Sequence, residues 1–167
     1  YSSIVPHVRD GRQELVMFAH KTLVALDPKT GSVFWSYPWE TKHDTNVADP
    51  ILIGDKVFIS SGYDRGCALL QVNGDKVAKL WENKNMRNHF NPCVLIDGHV
   101  FGFDGNTGRA TLKCIKLATG KVALDDQGFE VRTGGVNSRC ETSTTGSYND
   151  DVFHSNSCSV RYQVLCW

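Results

Sequence analysis

The stretch ALDPKTGSVFW, residues 25–35, contains a turn followed by a tryptophan. The side chain of Asp27 can accept hydrogen bonds from backbone N–H groups two or three residues further on. Gly31 can adopt the positive φ that such a turn requires. Ala25 leaves space for a neighbouring element, and the large flat surface of Trp35 suits the gap between two twisted sheets. The stretch therefore predicts a tight turn between two strands, followed by a residue that packs against a second sheet.

Features of this stretch recur at a nearly constant interval along the chain. Turn glycines lie 43 and 46 residues apart, prolines that open an apolar run lie 44 and 42 residues apart, and two tryptophans lie 46 residues apart. These residues are Gly31, Gly74 and Gly120, then Pro6, Pro50 and Pro92, then Trp35 and Trp81. A period slightly above forty residues with short strands is typical of the blades of a β-propeller.

Each repeat can be divided into four strands joined by turn residues. In the second repeat the strands are PILIG (50–54), KVFISSG (56–62), CALLQV (67–72) and KVAKLWE (76–82). The joins GD, YDR and NGD have the composition of turns. The sequence therefore predicts an all-β fold. It is a partial β-propeller of about three four-stranded antiparallel blades, at about residues 1–40, 41–83 and 84–127.

Residues 128–167 lack this pattern. They are rich in Ser, Thr, Asn and Gly, and their only leucine is Leu165. This segment has three interpretations: a divergent fourth blade, a disordered tail, or a sequence altered by a reading-frame error. The last two are favoured, because this composition offers little apolar area to offset the entropy of ordering the chain.

Composition excludes several classes of function. The chain has 167 residues with 18 basic and 18 acidic side chains, which argues against a general nucleic-acid binder. No apolar run approaches the roughly 20 residues of a membrane-spanning helix. None of the six cysteines forms a C-x-x-C pair, which argues against a zinc site and leaves their disulfide state open. We therefore predict no nucleic-acid partner, no transmembrane segment and no metal site.

The opening stretch resembles the PQQ-like (pyrroloquinoline-quinone-like) β-propeller repeat, whose pattern is A-x-D-x-x-T-G-x-x-x-W. Five residues match this pattern position for position: Ala25, Asp27, Thr30, Gly31 and Trp35. The second repeat keeps Gly74 and Trp81, with a spacing that predicts a lengthened turn. The third keeps ATGKV around Gly120, with Leu124 where tryptophan is expected.

Over residues 1–127 the chain is similar to bacterial PQQ-binding-like propeller proteins. Many of these are related to the lipoprotein subunit of the outer-membrane β-barrel assembly machinery. The resemblance implies seven or eight blades in a whole protein, so that three blades would be a fragment of a larger ring. It also implies an extracytoplasmic location, periplasmic or secreted. The expected partners are another protein and the remaining blades of the parent propeller.

The resemblance favours a non-catalytic binding or scaffold module that mediates protein–protein interaction. The alternative is a fragment of a PQQ-dependent quinoprotein oxidoreductase. In such enzymes the cofactor lies between a tryptophan floor and a disulfide between adjacent cysteines, beside a calcium ion held by acidic and amide side chains. This chain has no two adjacent cysteines, so we expect neither PQQ nor calcium to bind here.

Polar residues precede the innermost strand of the second and third repeats, where propellers often line a central mouth. One interpretation is contact with a ligand or peptide. The other, which we favour, is that they satisfy backbone groups where the strands begin. We predict no catalytic residue, and the candidates for loop-face binding are Asp44, Asn46, Asp49, Arg87, Asn88, His89 and Asn91.

Overall fold

Three four-stranded antiparallel sheets follow one another along the chain in the computed structural model. It describes residues 2–106 and 110–130, with residues 124–130 described by their backbone alone. The first sheet, blade 1, contains β1 (Val5–Arg9), β2 (Arg12–Phe18), β3 (Thr22–Leu26) and β4 (Val33–Pro38). Blade 2 contains β5 (Ile51–Ile53), β6 (Lys56–Ser61), β7 (Gly66–Asn73) and β8 (Lys76–Asn83). Blade 3 contains β9 (Val94–Ile96), β10 (His99–Asp104), β11 (Thr111–Lys116) and β12 (Val122–Glu130).

Within each sheet the strands lie side by side in chain order. This up-and-down order confirms the predicted all-β fold of propeller blades. The predicted boundary at residue 127 falls inside β12, and residues 131–167 of the predicted tail lie outside the described residues. None of the described residues forms a helix that could span a membrane.

The turn after β3 has a dense set of local hydrogen bonds. The Lys29 N–H donates to the Asp27 carboxylate at 2.7 Å, and the Gly31 N–H donates to the Asp27 carbonyl at 2.9 Å. Thr30 Oγ1 donates to Ser32 Oγ at 3.0 Å. The Lys29 N–H also lowers the pKa of Asp27 below its ordinary value. Gly31 has a φ of 73°, which an L side chain adopts only at a cost, so the turn requires glycine here.

Blades 1 and 2 bury their facing sides against each other. Trp35 is 2% exposed and Ala25 is fully buried, and both belong to a continuous apolar cluster with residues of blade 2. The indole N–H of Trp35 donates to Glu14 Oε2 at 3.1 Å. Blade 2 contributes the following buried side chains to this cluster: Val57, Ile59, Ala68, Leu70 and Val72. Trp35 therefore packs between two blades.

A second apolar cluster joins blades 2 and 3. It contains Phe58 and Leu69 of blade 2 together with Val100 and Ile115 of blade 3. Trp81 packs against the cluster and donates its indole N–H to the Leu117 carbonyl at 2.9 Å. The blade 2 tryptophan is thus fixed to the turn between β11 and β12.

Gly120 lies directly against this tryptophan. A Cβ atom built on Gly120 would lie 2.8 Å from two carbon atoms of the Trp81 ring, a distance that real Cβ atoms do not reach. The same test at Gly74, the corresponding glycine of blade 2, finds no atom within 4 Å. Among the described residues, a tryptophan therefore lies against the turn glycine of the next blade only where Trp81 of blade 2 meets Gly120 of blade 3.

The prediction of a lengthened turn in blade 2 is wrong. Asn73 pairs with Lys76, so only two residues, Gly74 and Asp75, join β7 to β8. The extra residues between Gly74 and Trp81 belong to β8, whose pairing with β7 shifts register at Leu69 and Leu70. Blade 1 has the same shift at Ala25 and Leu26, so the longer spacing comes from the β7–β8 pairing, which continues to Asn73 and Lys76, whereas the β3–β4 pairing ends at Leu26 and Val33.

Replacing Trp35 with alanine is expected to lower the free energy of unfolding by about 3–5 kcal/mol, because it removes a buried indole and leaves a cavity between blades. Denaturant titration followed by circular dichroism measures the change. The matched control is Val33→Ala in the same strand, where the side chain is 60% exposed. The control is expected to change stability by no more than about 0.5 kcal/mol. Equal midpoints for the two variants would contradict burial of Trp35 between blades.

Two glycine-to-alanine substitutions separate backbone strain from crowding. Gly31 and Gly120 have φ of 73° and 66°, so alanine at either position costs about 1–2 kcal/mol from the left-handed backbone. Only Gly120→Ala also displaces the Asn83 amide and the Trp81 ring, which adds about 1–3 kcal/mol. Denaturation midpoints and tryptophan emission measure both effects. A loss of stability no larger in Gly120→Ala than in Gly31→Ala would show that the Trp81 contact carries no energetic weight.

Candidate functional site

One end of the three blades gathers the segments that connect one blade to the next. Because the strands of a blade alternate in direction, the β2–β3, β6–β7 and β10–β11 turns lie at the same end as these connections. We call this end the loop face, and among the described residues it comprises segments 19–21, 39–50, 62–65, 84–93 and 105–106. All seven predicted loop-face residues lie in these segments.

Asn46 is a structural residue in the interior of the loop face, 3% exposed. Its amide nitrogen donates to the carbonyls of His20 and Trp39, both at 3.1 Å. Its amide oxygen accepts from Ser61 Oγ at 2.6 Å, and Ser61 Oγ accepts from the Trp39 indole at 2.9 Å. Asn46 thus ties the connection between blades to β6 and to the β2–β3 turn.

Asn88 has the same role one blade further along. It is fully buried, and its backbone N–H donates to Ser60 Oγ at 3.0 Å. Its amide nitrogen donates to the Phe103 carbonyl at 3.1 Å, and its amide oxygen accepts from Cys93 Sγ at 2.9 Å. Both asparagines therefore satisfy interior groups, as the favoured interpretation of the sequence requires.

The other polar candidates differ in what they contact. Asp49 accepts from the Ser3 N–H at 2.6 Å, which holds the start of the chain against the beginning of blade 2. Asp44 lies 3.6 Å from both His20 Nε2 and Lys21 Nζ. Asn91 is exposed.

Arg87 belongs to a series of ion pairs that passes from the surface to the interior. Its Nε and Nη2 atoms donate to the two carboxylate oxygens of Asp104 at 2.9 and 2.8 Å. Lys113 Nζ also donates to Asp104 at 2.7 Å. On the outer side, Asp64 accepts from Arg87 Nη1 at 3.1 Å and from Lys84 Nζ at 2.7 Å.

These pairs change the ionisation of both carboxyl groups. Burial by itself would raise the pKa of Asp104, but the hydrogen bonds and charges of Arg87 and Lys113 lower it below its ordinary value. Lys84 and then Arg87 lower the pKa of Asp64 in the same way. Both carboxylates are therefore charged near neutral pH.

Four rings form a row across the loop face. Tyr63 meets His43 and His89 edge to face, with ring centroids 4.6 Å apart in each pair. His89 lies 3.9 Å from the ring of Phe90, and Phe90 is 54% exposed. Burial lowers the pKa of His89, which favours the neutral imidazole. Of these four residues the sequence analysis selected His89 alone.

The turn that carries Tyr63 has a backbone that glycine normally supplies. Tyr63 and Asp64 have φ of 53° and 60°, and the Arg65 N–H donates to the Gly62 carbonyl at 3.0 Å. This is a two-residue turn of the type that favours Asn-Gly. Each non-glycine residue in this region costs about 1–3 kcal/mol and is retained where surrounding contacts fix it. The sequence analysis treated YDR (63–65) as an ordinary turn; the signal that it did not use is an aromatic residue, Tyr63, at a position where such turns favour Asn.

The loop face combines aromatic rings with charged side chains. In the part of the chain that the structure describes, no three His, Cys, Asp or Glu side chains are grouped as metal ligands. The loop face presents a row of rings beside exposed charged groups, on loops whose buried amides Asn46 and Asn88 are hydrogen-bonded.

The comparisons with known proteins agree with this architecture. The family described as "Outer membrane protein assembly factor BamB" matches residues 2–124. Among solved structures, quinohemoprotein alcohol dehydrogenase from Comamonas testosteroni superposes with a TM-score of 0.55 at 17% sequence identity. That match covers 74% of this chain and 21% of the dehydrogenase chain, and at this identity it shows the fold alone. No curated protein matches the sequence. The chain belongs to the family of the outer membrane protein assembly factor BamB and is built from PQQ-like β-propeller repeats.

Proposed function

We propose that this chain is a non-catalytic β-propeller module that binds a protein partner through its loop face. The observation that supports this most directly is the row of rings from His43 to Phe90, which ends in an aromatic side chain that is 54% exposed. Aromatic residues held on a rigid frame are typical of protein-binding surfaces. Loops on a propeller are the usual positions for such contacts.

The family supports the same proposal. The matched family is named for a factor in outer-membrane protein assembly. Work on outer-membrane proteins takes place beyond the cytoplasm, so we infer an extracytoplasmic location for this chain. Because the match to the dehydrogenase spans 21% of that longer chain, we also infer that further blades complete the ring.

We infer that the described residues do not form a PQQ site. Trp35 and Trp39 are 2% and 0% exposed, and their indole N–H groups donate to Glu14 and Ser61. Trp81 packs on Gly120, so each described tryptophan is committed to packing rather than to a cofactor floor. Burial raises the pKa of the Cys67 thiol to about 12 and raises that of Cys93 as well. The packing of these tryptophans thus supports the proposed binding module over the quinoprotein alternative.

Site-specific photocrosslinking tests the proposed binding. A photoreactive phenylalanine analogue replaces exposed Asn91 on the loop face, or exposed Asp75 in the turn at the opposite end. The full-length protein is irradiated in its native host, and mass spectrometry identifies the adducts. We expect a defined protein adduct from position 91 and none from position 75, because only the loop face presents the row of rings.

Two results would contradict the proposal. One is the absence of any protein adduct at position 91, and the other is the same adduct at equal yield from both positions. Titration of the full-length protein with PQQ and calcium provides the separate measurement for the enzyme alternative. We expect no saturable change in PQQ absorbance. A saturable change in PQQ absorbance, together with reduction of a dye in the presence of an alcohol, would favour the quinoprotein.

A further inference from the structure

The pair Asn73–Gly74 lies in the turn between β7 and β8, at the end of blade 2 opposite the loop face. Asn73 pairs with Lys76, so the turn itself consists of Gly74 and Asp75. Asn73, Gly74 and Asp75 are all exposed. Gly74 has a φ of 63°, and a Cβ atom built on it would meet no atom within 4 Å. The peptide bond between Asn73 and Gly74 is therefore open to solvent, with free space beside it.

An asparagine that precedes glycine can lose its side-chain amide through attack by the next backbone nitrogen. The glycine nitrogen forms a bond to Cγ of the asparagine, the Cγ–Nδ2 bond breaks, and the proton of the glycine nitrogen leaves with the amide group as ammonia. Water then opens the resulting succinimide at either carbonyl carbon and gives aspartate or isoaspartate. Glycine favours this ring closure because it has no Cβ atom to hinder its nitrogen.

Asn73 differs from the other asparagines in residues 2–106 and 110–130. Its side-chain amide and the Gly74 N–H make no hydrogen bond to any described residue. Asn91 is exposed as well, but it precedes Pro92, whose nitrogen carries no proton. The remaining asparagines have side chains held by hydrogen bonds: Asn46, Asn83, Asn85, Asn88 and Asn106. Asn73 is also the only asparagine of the sequence that precedes a glycine.

The carbonyl of Gly74 connects this turn to blade 1. It accepts from Arg9 Nη2 at 3.0 Å, and the Arg9 side chain is 3% exposed. In isoaspartate the main chain passes through the β-carbon, which adds one atom to the backbone between residues 73 and 74. Because a two-residue hairpin turn has a fixed length, the added atom displaces the Gly74 carbonyl from Arg9. A buried guanidinium that loses an acceptor lowers stability.

We propose that Asn73 is a site of spontaneous deamidation, and that its conversion to isoaspartate weakens the contact between blades 1 and 2. Water is the only co-reactant, and no enzyme is required. The product carries an added carboxylate in the turn and has lost the acceptor of Arg9. The proposal is independent of the proposed function, because it concerns the end of the blades opposite the loop face.

Prolonged incubation of the full-length protein in neutral buffer, followed by peptide mapping, tests the modification. Mass spectrometry detects the change from amide to carboxyl group, and an isoaspartyl methyltransferase with labelled S-adenosylmethionine detects the isoaspartate. We expect both signals in the peptide that contains residue 73. We expect neither in the peptide that contains Asn91, the matched exposed asparagine, nor in the variant Asn73→Gln, which would have to close a larger ring.

Two results of the mapping would overturn the proposed site. One is the absence of both signals at residue 73, and the other is equal conversion at residues 73 and 91. A change of mass at residue 73 without methylation would mean that aspartate is the sole product. That result would support the site and overturn the isoaspartate.

Thermal melting measures the effect on the contact between blades. Ion-exchange chromatography and the methyltransferase assay identify the fraction that carries isoaspartate. Its control is the variant Asn73→Asp, which has the added charge on an unaltered main chain. We expect the isoaspartate form to melt about 4 °C below Asn73→Asp, because it has lost a hydrogen bond to a charged group. Equal melting temperatures for the two would overturn the effect.

Hydrogen exchange followed by mass spectrometry locates the weakened region. We expect the isoaspartate form to exchange faster in β1 and β2 of blade 1 as well as in the modified turn, because Arg9 lies in β1. Asn73→Asp is expected to exchange like the unmodified protein in β1 and β2. Faster exchange confined to β7 and β8 would show that the modification does not reach blade 1, and it would overturn the proposed effect on the contact between blades.

Discussion

The buried carboxylate of Glu14 determines how the first two blades meet. Its side chain is 1% exposed and accepts from the Trp35 indole at 3.1 Å and from Arg9 Nη2 at 3.3 Å. Arg9 also donates to the Gly74 carbonyl of blade 2 at 3.0 Å. Burial would raise the pKa of Glu14, but hydrogen bonds from His7, Arg9 and Trp35 lower it. Since an unpaired buried charge is costly, these bonds fix the orientation of Trp35 between the blades.

Buried asparagines hold the segments that connect the blades. Asn46 and Asn88 precede Pro50 and Pro92 by the same four positions, and each bonds groups from more than one segment. The Tyr63 N–H donates to Asn106 Oδ1 at 2.9 Å, and the Tyr63 ring packs between two histidines of the connecting loops. These contacts hold the left-handed backbone at Tyr63. The ordering of the ring row is therefore a consequence of packing beneath it, and a partner does not need to supply that order.

The fold could be predicted because its signals are local, whereas the site depends on contacts between repeats. Turn glycines and apolar runs are each visible in a short window, and their return after slightly more than forty residues located the three blades. Nothing local distinguishes buried Asn88 from exposed Asn91. The position of Tyr63 depends on three loops that are distant in sequence. The lengthened turn was wrong for a related reason, since strand pairing rather than spacing decides where β8 begins.

The tryptophans of the described residues and the rings of the loop face have different surroundings. In the described residues, the tryptophans join blade to blade: Trp35 and Trp39 lie in the cluster between blades 1 and 2, and Trp81 packs on blade 3. The rings that remain accessible, such as Phe90, come from the loops and lie beside charged groups. This is the surface that we propose binds a protein partner, because a peptide chain presents both apolar and charged side chains at short intervals.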